Sequence, residues 1–303
     1  MIHKNGYSFR GGDFILRYLV FLLRCQRNHF NFFSAAPLDK AKALAQSNLS
    51  FWAGLYYMDS KEYVDASSCF EKTKAYKHLI IAYEKQGLYS KALSLADEKG
   101  YYELGAKISI RINDLKQAAY FYSYFNPSHA AKLYRDLYCY YEAGYCYLTL
   151  CDALGAIDMF RRCTDKIQKS EGLRQVSDYA LVLYFTKSYS SAFRIFLALD
   201  DYYSALECAI CMKEDQLIAS CRCLIASEEA SQNHYHFAAK CIEPFDKKTA
   251  MSYYAKAGDY KAQVRLLLEY HDYEKAIHVC LLHQDLNKAY QIASCYNPEL
   301  LSS

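Results

Sequence analysis

The sequence predicts an all-α protein, a right-handed α-solenoid of short antiparallel helix hairpins with about 13 residues per helix and about 26 per hairpin. Three observations predict this fold. Alanines recur about every 13 residues, an aromatic residue or leucine often stands three positions before them, and the 303 residues include only 11 glycines and 4 prolines. A chain rich in sheets or loops needs more turn residues than that. Alternation of apolar and polar residues, which would indicate strands, is absent over any useful length.

The alanine spacing is the strongest pattern in the chain. It occurs in three runs with intervals of 12 to 14 residues. The runs are Ala92, Ala106, Ala118, Ala130, Ala143 and Ala156, then Ala192, Ala205 and Ala219, and finally Ala262, Ala276 and Ala289. Upstream, Ala66 lies 26 residues before Ala92, which is two steps. A spacing this regular indicates a repeat in which each hairpin buries its faces only against its neighbours.

A step of this length divides into a helix of about nine or ten residues and a turn of about three. Such a helix is marginal alone in water, so packing on both sides must hold it. We expect the alanine to give a close helix crossing and the aromatic residue or leucine before it to fill the next groove. Asp259, Asp272 and Asp285 stand 13 residues apart at the expected turns. We expect each to accept hydrogen bonds from free N–H groups at the start of the next helix.

Interruptions of the alanine spacing divide the chain. Residues 1–48 form a basic, aromatic segment that we expect to be helical in part, and helical repeats fill 49–163 and 179–303. A polar insertion at 164–178 separates the repeat regions, and an irregular loop lies near 227–248. We expect both polar stretches to be longer loops or irregular hairpins between helices. An insertion of this kind either carries binding specificity or is a plain spacer.

The charge of the chain is concentrated near its N-terminus. The whole chain has 36 Lys and Arg against 33 Asp and Glu, whereas residues 1–50 hold seven basic and two acidic residues. A basic segment on an otherwise nearly neutral protein either binds anionic lipid, nucleic acid or an acidic partner, or is a solvated N-terminal segment without a partner. The apolar run FILRYLVFLL at 14–23 is too short, and too interrupted by Arg17, to cross a bilayer.

The chain contains 13 cysteines, an odd number, which stand mostly inside apolar helical runs. Reduced cysteines used as small core residues show this distribution. Together with SAA at 34–36, the apolar run at 14–23 has some resemblance to a secretory signal, but the cysteine content argues against export. We therefore expect a cytoplasmic protein.

The segment GLYYMDSKEYVDASSCF at 54–70 resembles a tetratricopeptide repeat (TPR). The residues that stand at the small, aromatic, alanine and phenylalanine positions of that family are Gly54, Tyr57, Ala66 and Phe70. The strict resemblance covers residues 50–95, and a looser TPR-like pattern covers 50–293. The resemblance implies a TPR-like fold and a scaffold that binds other proteins.

Two further segments carry other resemblances. AYEKQGLYSKALSLA at 82–96 and YYAKAGDYKA at 253–262 look like the helical tails of WD40-solenoid transport subunits. They look equally like the helical regions of TPR-and-ankyrin helicase-like proteins. Helicase motor residues are absent, because no GxxxxGK[ST] phosphate loop is present. These resemblances also imply protein partners and membership of a larger complex.

Tyrosine is over-represented, with 32 residues. Its ring and polar tip suit half-buried positions where a side chain leaves a helix seam and ends in water. Stacking on bases would need basic residues interleaved with the rings, and the overall charge does not supply them. We expect tyrosines to line a surface that binds a partner: Tyr83, Tyr120, Tyr140, Tyr184 and Tyr253.

The segment CAICMKEDQLIASCRCLIASEEASQNHYHF holds the best metal candidate in the sequence. Its cysteines and histidines are Cys208, Cys211, Cys221, Cys223, His234 and His236. These residue types suit zinc, but their spacing does not match the common zinc modules. Cys221 and Cys223 are two residues apart, so on a helix they point about 200° from each other. The alternative is that the cysteines are small core residues, and we expect no metal or other cofactor.

No catalytic constellation is visible in the sequence. The cysteines and histidines have no fixed geometry, no G-x-S-x-G elbow appears, and Glu228 and Glu229 belong to a polar run. We assign no catalytic residue and expect a protein that is not an enzyme. The leading hypothesis is a scaffold that binds other proteins, with neither nucleic acid nor a membrane as a partner.

Two alternatives remain open. The first is the hypothesis that the chain is a fragment or the C-terminal helical-repeat region of a larger helicase-like or transport-complex protein. Its motivation is that YNPELLSS at the end lacks an obvious polar capping helix and that the first residues lack the repeat. The second alternative is an RNA-binding helical repeat. Repeats that read one base each are about 35 residues long and place polar readers at fixed positions, which this sequence does not do.

Overall fold

The computed structural model describes residues 11–27 and 31–296. Every regular element in these ranges is a helix, and the twenty helices confirm the prediction of an all-α solenoid. Residues 1–10, 28–30 and 297–303, on which parts of the N-terminal and C-terminal predictions fall, lie outside the described ranges. None of the described helices is both long enough and apolar enough to span a bilayer.

The chain divides into two compact units, residues 1–151 and 152–303. The helices of unit 1 are α1 (Gly11–Arg27), α2 (Pro37–Gln46), α3 (Ser50–Asp59), α4 (Tyr63–Thr73), α5 (Tyr76–Lys85), α6 (Tyr89–Glu98), α7 (Tyr102–Arg111), α8 (Leu115–Ser123), α9 (Pro127–Asp136) and α10 (Tyr140–Thr149). The helices of unit 2 are α11 (Ala153–Arg162), α12 (Lys166–Phe185), α13 (Tyr189–Ala198), α14 (Tyr202–Met212), α15 (Asp215–Ser231), α16 (Tyr235–Ile242), α17 (Lys247–Ala257), α18 (Tyr260–Glu269), α19 (Tyr273–Leu282) and α20 (Leu286–Tyr296). From α2 to α10, and from α11 to α20, each helix packs against the next one in its unit. Packing with sequential neighbours is the pattern of a helical solenoid.

The 13-residue step is a ten-residue helix followed by a three-residue turn, as α18 and α19 illustrate. In the turn between them, the N–H of His271 donates to the carbonyl of Leu268 at 3.0 Å and that of Asp272 to the carbonyl of Leu267 at 2.9 Å. The carboxylate of Asp272 then accepts the N–H of Lys275 at 3.3 Å. The turn therefore supplies hydrogen-bond donors to carbonyl groups at the end of one helix and an acceptor for an N–H group at the start of the next.

The same cap recurs at the other aspartates of the repeat. Asp259 accepts the N–H of Ala262 at 3.1 Å, and Asp285 accepts the N–H of Lys288 at 3.1 Å. The predicted caps at all three aspartates are confirmed.

The middle residue of these turns has a left-handed backbone. Fifteen described residues have positive φ, of which three are the glycines Gly87, Gly100 and Gly258 and twelve are not glycine. A non-glycine residue in this conformation costs about 1–2 kcal/mol, because its Cβ approaches the following carbonyl oxygen. The small number of glycines in the sequence therefore means that most turns carry this strain.

Replacing Tyr138 by glycine should raise the free energy of unfolding by about 0.5–1 kcal/mol. Tyr138 has φ 59° and a side chain that is 78% exposed, so the change removes strain and little packing. The relief of strain is partly offset because glycine gives the unfolded chain more freedom. Urea denaturation followed by circular dichroism measures the difference.

Asn113→Gly is the matched control for that substitution, because Asn113 has φ 61° and asparagine tolerates the left-handed region. We expect almost no gain from it. Equal effects of the two substitutions, or a loss of stability from Tyr138→Gly, would contradict the strain argument.

The repeating alanines lie in the helix seams, as predicted. Ala289 is 5% exposed. Ten others are at most 1% exposed: Ala66, Ala92, Ala106, Ala118, Ala130, Ala143, Ala156, Ala192, Ala205 and Ala276. Ala219 and Ala262 differ, because both are only partly buried. In α15 the buried residues are Cys221, Ile225 and Ala226 instead.

Glycines allow the closest helix approaches, each opposite a buried phenylalanine. A Cβ on Gly54 would lie 2.7 Å from the ring of Phe70, and one on Gly172 would lie 2.3 Å from the ring of Phe160. Real Cβ atoms do not come this close to other atoms. The Gly54 contact joins α3 to α4, and the Gly172 contact joins α12 to α11.

The two polar stretches are helical, so the expectation of a long loop was wrong at both 164–178 and 227–248, whereas the alternative of an irregular helix hairpin describes 227–248. The first lies almost entirely within α12, a 20-residue helix that buries Gly172, Val176 and Ala180 at four-residue intervals. The second continues α15 and then contains α16. A narrow buried stripe holds each of these helices against its neighbours.

Candidate protein-interaction grooves

Unit 2 contains an apolar groove of about 260 Å³ between α12 and α14, which we call the α12–α14 groove. Leu181 and Tyr184 of α12 form one wall, Tyr203, Glu207 and Ile210 of α14 form the other, and Phe196 of α13 lies between them. The wall residues occupy spacings of three or four on their helices, so they share one face. The buried alanines face elsewhere, into the seams.

Large apolar side chains are exposed along this groove. Leu181 is 40% exposed and Ile210 is 51% exposed. Phe185, one turn after Leu181 on α12 and outside the groove lining, is 76% exposed. Exposed apolar groups gathered in a groove, rather than scattered singly, are typical of surfaces that bind another molecule.

The phenol groups of the groove are fixed by neighbours. The hydroxyl of Tyr203 donates to Glu229 at 2.7 Å, and the hydroxyl of Tyr184 lies 3.7 Å from the sulfur of Cys211. The bond to Glu229 raises the pKa of Tyr203 to about 12, and the contact with Cys211 raises the pKa of Tyr184 to about 12. Both hydroxyls therefore remain protonated near neutral pH, while Glu207 adds a carboxylate to the groove.

A larger groove, of about 700 Å³, lies between α17 and α19, and we call it the α17–α19 groove. Lys248 and Met251 belong to the α17 wall, and Lys275 and Val279 belong to the α19 wall. Leu267 of α18, which is 4% exposed, lies between the walls. The lining therefore combines an apolar floor with a lysine on each side.

The lysines of this groove differ in their ion pairs. Lys275 Nζ lies 2.6 Å from Asp272 Oδ2, and this hydrogen bond raises the pKa of Lys275 and lowers the pKa of Asp272. Lys248 makes no ion pair with any residue of 11–27 or 31–296. Its neighbour Lys247 is paired with Glu269 at 2.6 Å. Lys248 is thus the cation in this groove without an ion pair, although its charge acts on Asp246, two residues before it.

The tyrosines predicted to line a partner surface lie in different places. Of the five, Tyr184 is the one that lines the α12–α14 groove. In unit 1, Tyr120 donates to Asp97 at 3.0 Å and Tyr83 donates to Glu71. Tyr140 makes an edge contact with the ring of Tyr138.

Tyr253, the fifth tyrosine, lies in unit 2 on α17. Its ring centroid lies 6.4 Å from that of Tyr235, and the ammonium of Lys256 lies 5.9 Å from its ring. Tyr253 does not line the α17–α19 groove, although it belongs to the same helix as Lys248. One of the five predicted tyrosines thus lines a groove, and each of the others contacts a neighbouring side chain, so their role in binding a partner stays a prediction.

The four candidate zinc ligands do not meet at one point. Cys208 and Cys221 are buried, whereas Cys211 and Cys223 are exposed. Burial raises the pKa of the Cys208 thiol to about 11 and also raises that of Cys221. Within the described ranges, no group of three or more His, Cys, Asp or Glu side chains has the arrangement of a metal site.

The two histidines of that segment have carboxylate neighbours instead. His234 Nδ1 lies 2.9 Å from Glu229 Oε2, and His236 Nδ1 lies 3.3 Å from Asp259 Oδ2. Glu229 therefore contacts both His234 and Tyr203, and these two hydrogen bonds lower the pKa of its carboxyl group.

Sequence reasoning missed the charged groove altogether. Its wall on α17 contains Lys248, Met251, Ser252 and Ala255, so that Met251 and Ser252 each lie three or four residues from both Lys248 and Ala255. This helical spacing was the available signal. It did not distinguish a groove wall from any other solvent-facing stripe, because the opposite wall lies two helices further along the chain.

The described helices, with their alanine seams and lateral grooves, define an all-helical repeat protein. A scan of the sequence against models of known protein families gave no match, and a search of curated proteins gave none either.

Proposed function

We propose that this protein is a non-enzymatic scaffold, built from TPR-like helical repeats, that binds other proteins. The α12–α14 groove carries the proposal, because it offers exposed apolar walls and fixed polar groups on rigid helices. Leu181 and Ile210 supply apolar area, and the hydroxyls of Tyr184 and Tyr203 supply polar groups that would orient a bound partner. Helical grooves of this composition accept a peptide or an amphipathic helix of a partner.

Two observations support the TPR-like part of the proposal. The residues that carry the family resemblance lie together at the α3–α4 contact, where Gly54 faces the ring of Phe70 and Ala66 is fully buried. Small residues opposite a phenylalanine also join α11 to α12. The repeat unit is therefore a helix pair joined by a close crossing, as in tetratricopeptide-like solenoids.

We also propose a cytoplasmic location. All 13 cysteines are free thiols. Six of them are buried and three are half-buried: Cys25, Cys69, Cys146, Cys208, Cys221 and Cys280 are buried, and Cys139, Cys163 and Cys241 are half-buried. Reduced thiols of this number are typical of proteins that stay inside the cell.

Affinity capture from native lysate, compared between variants, tests the scaffold function. The groove variant carries Leu181→Glu and Ile210→Glu, which place charges on both walls of the α12–α14 groove. The control variant carries Ile167→Glu and Leu154→Glu, at positions that are 78% and 41% exposed and do not line the groove. Circular dichroism of both variants confirms that they remain folded.

The expected result is a set of proteins captured by the wild type and the control but lost from the groove variant, with or without ribonuclease treatment. Equal capture by all three chains would exclude this groove as the binding site. Loss of the captured proteins on ribonuclease treatment would favour the RNA-binding alternative instead.

A further inference from the structure

We propose that the α17–α19 groove binds an acidic peptide segment that carries one large apolar side chain. The inference rests on the proposed function, because it names the chemistry of a partner for a scaffold. It concerns a second groove of unit 2, distinct in residues from the α12–α14 groove.

The apolar part of the ligand follows from the floor of the groove. Leu267 is almost fully buried below the opening, and Met251 and Val279 are half-buried on the two walls. The volume of about 700 Å³ lies within the range of pockets that bind ligands, about 300–1,000 Å³. A leucine, methionine or phenylalanine side chain of a partner would pack against the exposed parts of Met251 and Val279 and remove them from water.

The acidic part of the ligand follows from the charges around that floor. Lys248 and Lys275 face one carboxylate, Asp272, so the lining carries one net positive charge when His278 is neutral. A ligand carboxylate beside Lys248 would make an ion pair without breaking one. A second carboxylate near Lys275 would share it with Asp272, in an exposed pair of small energetic value.

The neighbouring cations do not offer the same opportunity. Lys247 is paired with Glu269 at 2.6 Å, and Arg265 is paired with Glu243 at 2.8 Å. The hydrogen bond with Glu243 raises the pKa of Arg265 and lowers that of the carboxyl group. These two cations are therefore already paired, whereas Lys248 is not.

The polar residues of the lining favour a peptide over a nucleic acid. Gln263 and Ser252 offer amide and hydroxyl groups of the kind that bind a peptide backbone. A nucleic acid needs several phosphate contacts along its path, and here Asp272 stands beside one of only two lysines. We therefore make RNA an outcome of the test.

The test uses the full-length protein and fluorescein-labelled ten-residue peptides with acetylated and amidated ends, so that only side chains carry charge. The first peptide holds aspartates and glutamates on both sides of one leucine. The second replaces its acidic residues by lysines, and the third replaces the leucine by serine. Fluorescence anisotropy should show that the first peptide binds about tenfold more tightly than either of the others.

A charge-reversed variant tests the assignment to this groove. Lys248→Glu with Lys275→Glu should weaken binding of the acidic peptide by about tenfold or more and improve binding of the lysine peptide. The matched control, Lys247→Glu with Lys261→Glu, makes the same change of formal charge outside the groove lining and should retain the wild-type preference.

Three results would overturn the inference: equal affinity for the acidic and lysine peptides, an unchanged preference in the charge-reversed variant, or binding of a ten-nucleotide single-stranded RNA in place of the peptide. Such a result leaves the scaffold function standing if the α12–α14 groove variant still loses captured partners. If the peptide preference is absent and the α12–α14 groove variant also keeps its captured partners, both proposals are overturned.

Discussion

Replacing Phe160 by alanine should lower the free energy of unfolding by about 3–5 kcal/mol. Phe160 is 0% exposed on α11, and its ring fills the space left by the missing side chain of Gly172 on α12. Removal of the ring loses its transfer free energy and leaves a cavity between two helices. With ten residues, α11 is too short to be stable without this contact.

The opposite change at the same contact tests its geometry. Gly172→Ala would place a Cβ 2.3 Å from the Phe160 ring, which has no open side toward which to move. Overpacking of this kind costs about 1–3 kcal/mol, against about 1 kcal/mol that alanine gains over glycine as a helix former. We therefore expect a net loss of stability.

The double variant, with alanine at both positions, should lose less stability than the sum of the two single variants, because the new methyl group enters the cavity left by the ring. Ser170→Ala, on the exposed face of the same helix, is the control and should change stability by less than about 0.5 kcal/mol. Additive losses would show that the two residues do not share one contact.

Urea denaturation of the full chain gives the overall change. Hydrogen exchange should also be measured, because repeat proteins unfold locally and a loss at one seam need not spread to all others. The amides of α11 and α12 should lose protection first.

Removal of three aspartate caps in unit 2 is the second large effect. Replacing Asp201, Asp259 and Asp285 by alanine should lower the free energy of unfolding by about 3 kcal/mol, about 1 kcal/mol for each cap. Asp201 accepts the N–H of Ser204 at 3.1 Å, in the same manner as the other two. Each cap serves a different helix, so the losses should add.

The matched control replaces the same three aspartates by asparagine, whose side-chain oxygen is an equally good helix cap. We expect this variant to retain most of the stability in urea denaturation. If the asparagine variant is as unstable as the alanine variant, the aspartates act through their charge rather than as caps.

The sequence was enough to predict the repeat because its signals are local. An aspartate cap and an alanine three or four residues later belong to one helix and its turn, so a single chain segment reveals both. The length of α12 was not predictable in this way. Its buried stripe of Gly172, Val176 and Ala180 contains only three residues among many polar ones, and a polar stretch without an alanine step looks like a loop.

The two grooves could not be predicted from the sequence for a different reason. Whether a lysine makes an ion pair depends on a partner one turn or one helix away, as for Lys247 on α17 and Glu269 on α18, which are 22 residues apart. Sequence spacing gives no measure of that distance. The surface of tyrosines was predicted from the number of tyrosines in the chain. In the structure, the five predicted tyrosines contact different neighbouring side chains, which composition does not reveal.

The ten-residue helix and its three-residue turn also constrain how the length of this chain can change. Deleting one residue from a helix would rotate every later side chain on that helix by about 100° and turn its seam alanine toward solvent. Removing 26 residues, two helices with their turns, would instead join equivalent positions and keep each alanine facing its neighbour. Insertions and deletions in this chain are therefore compatible with its fold only in whole hairpins, or in the turns between them.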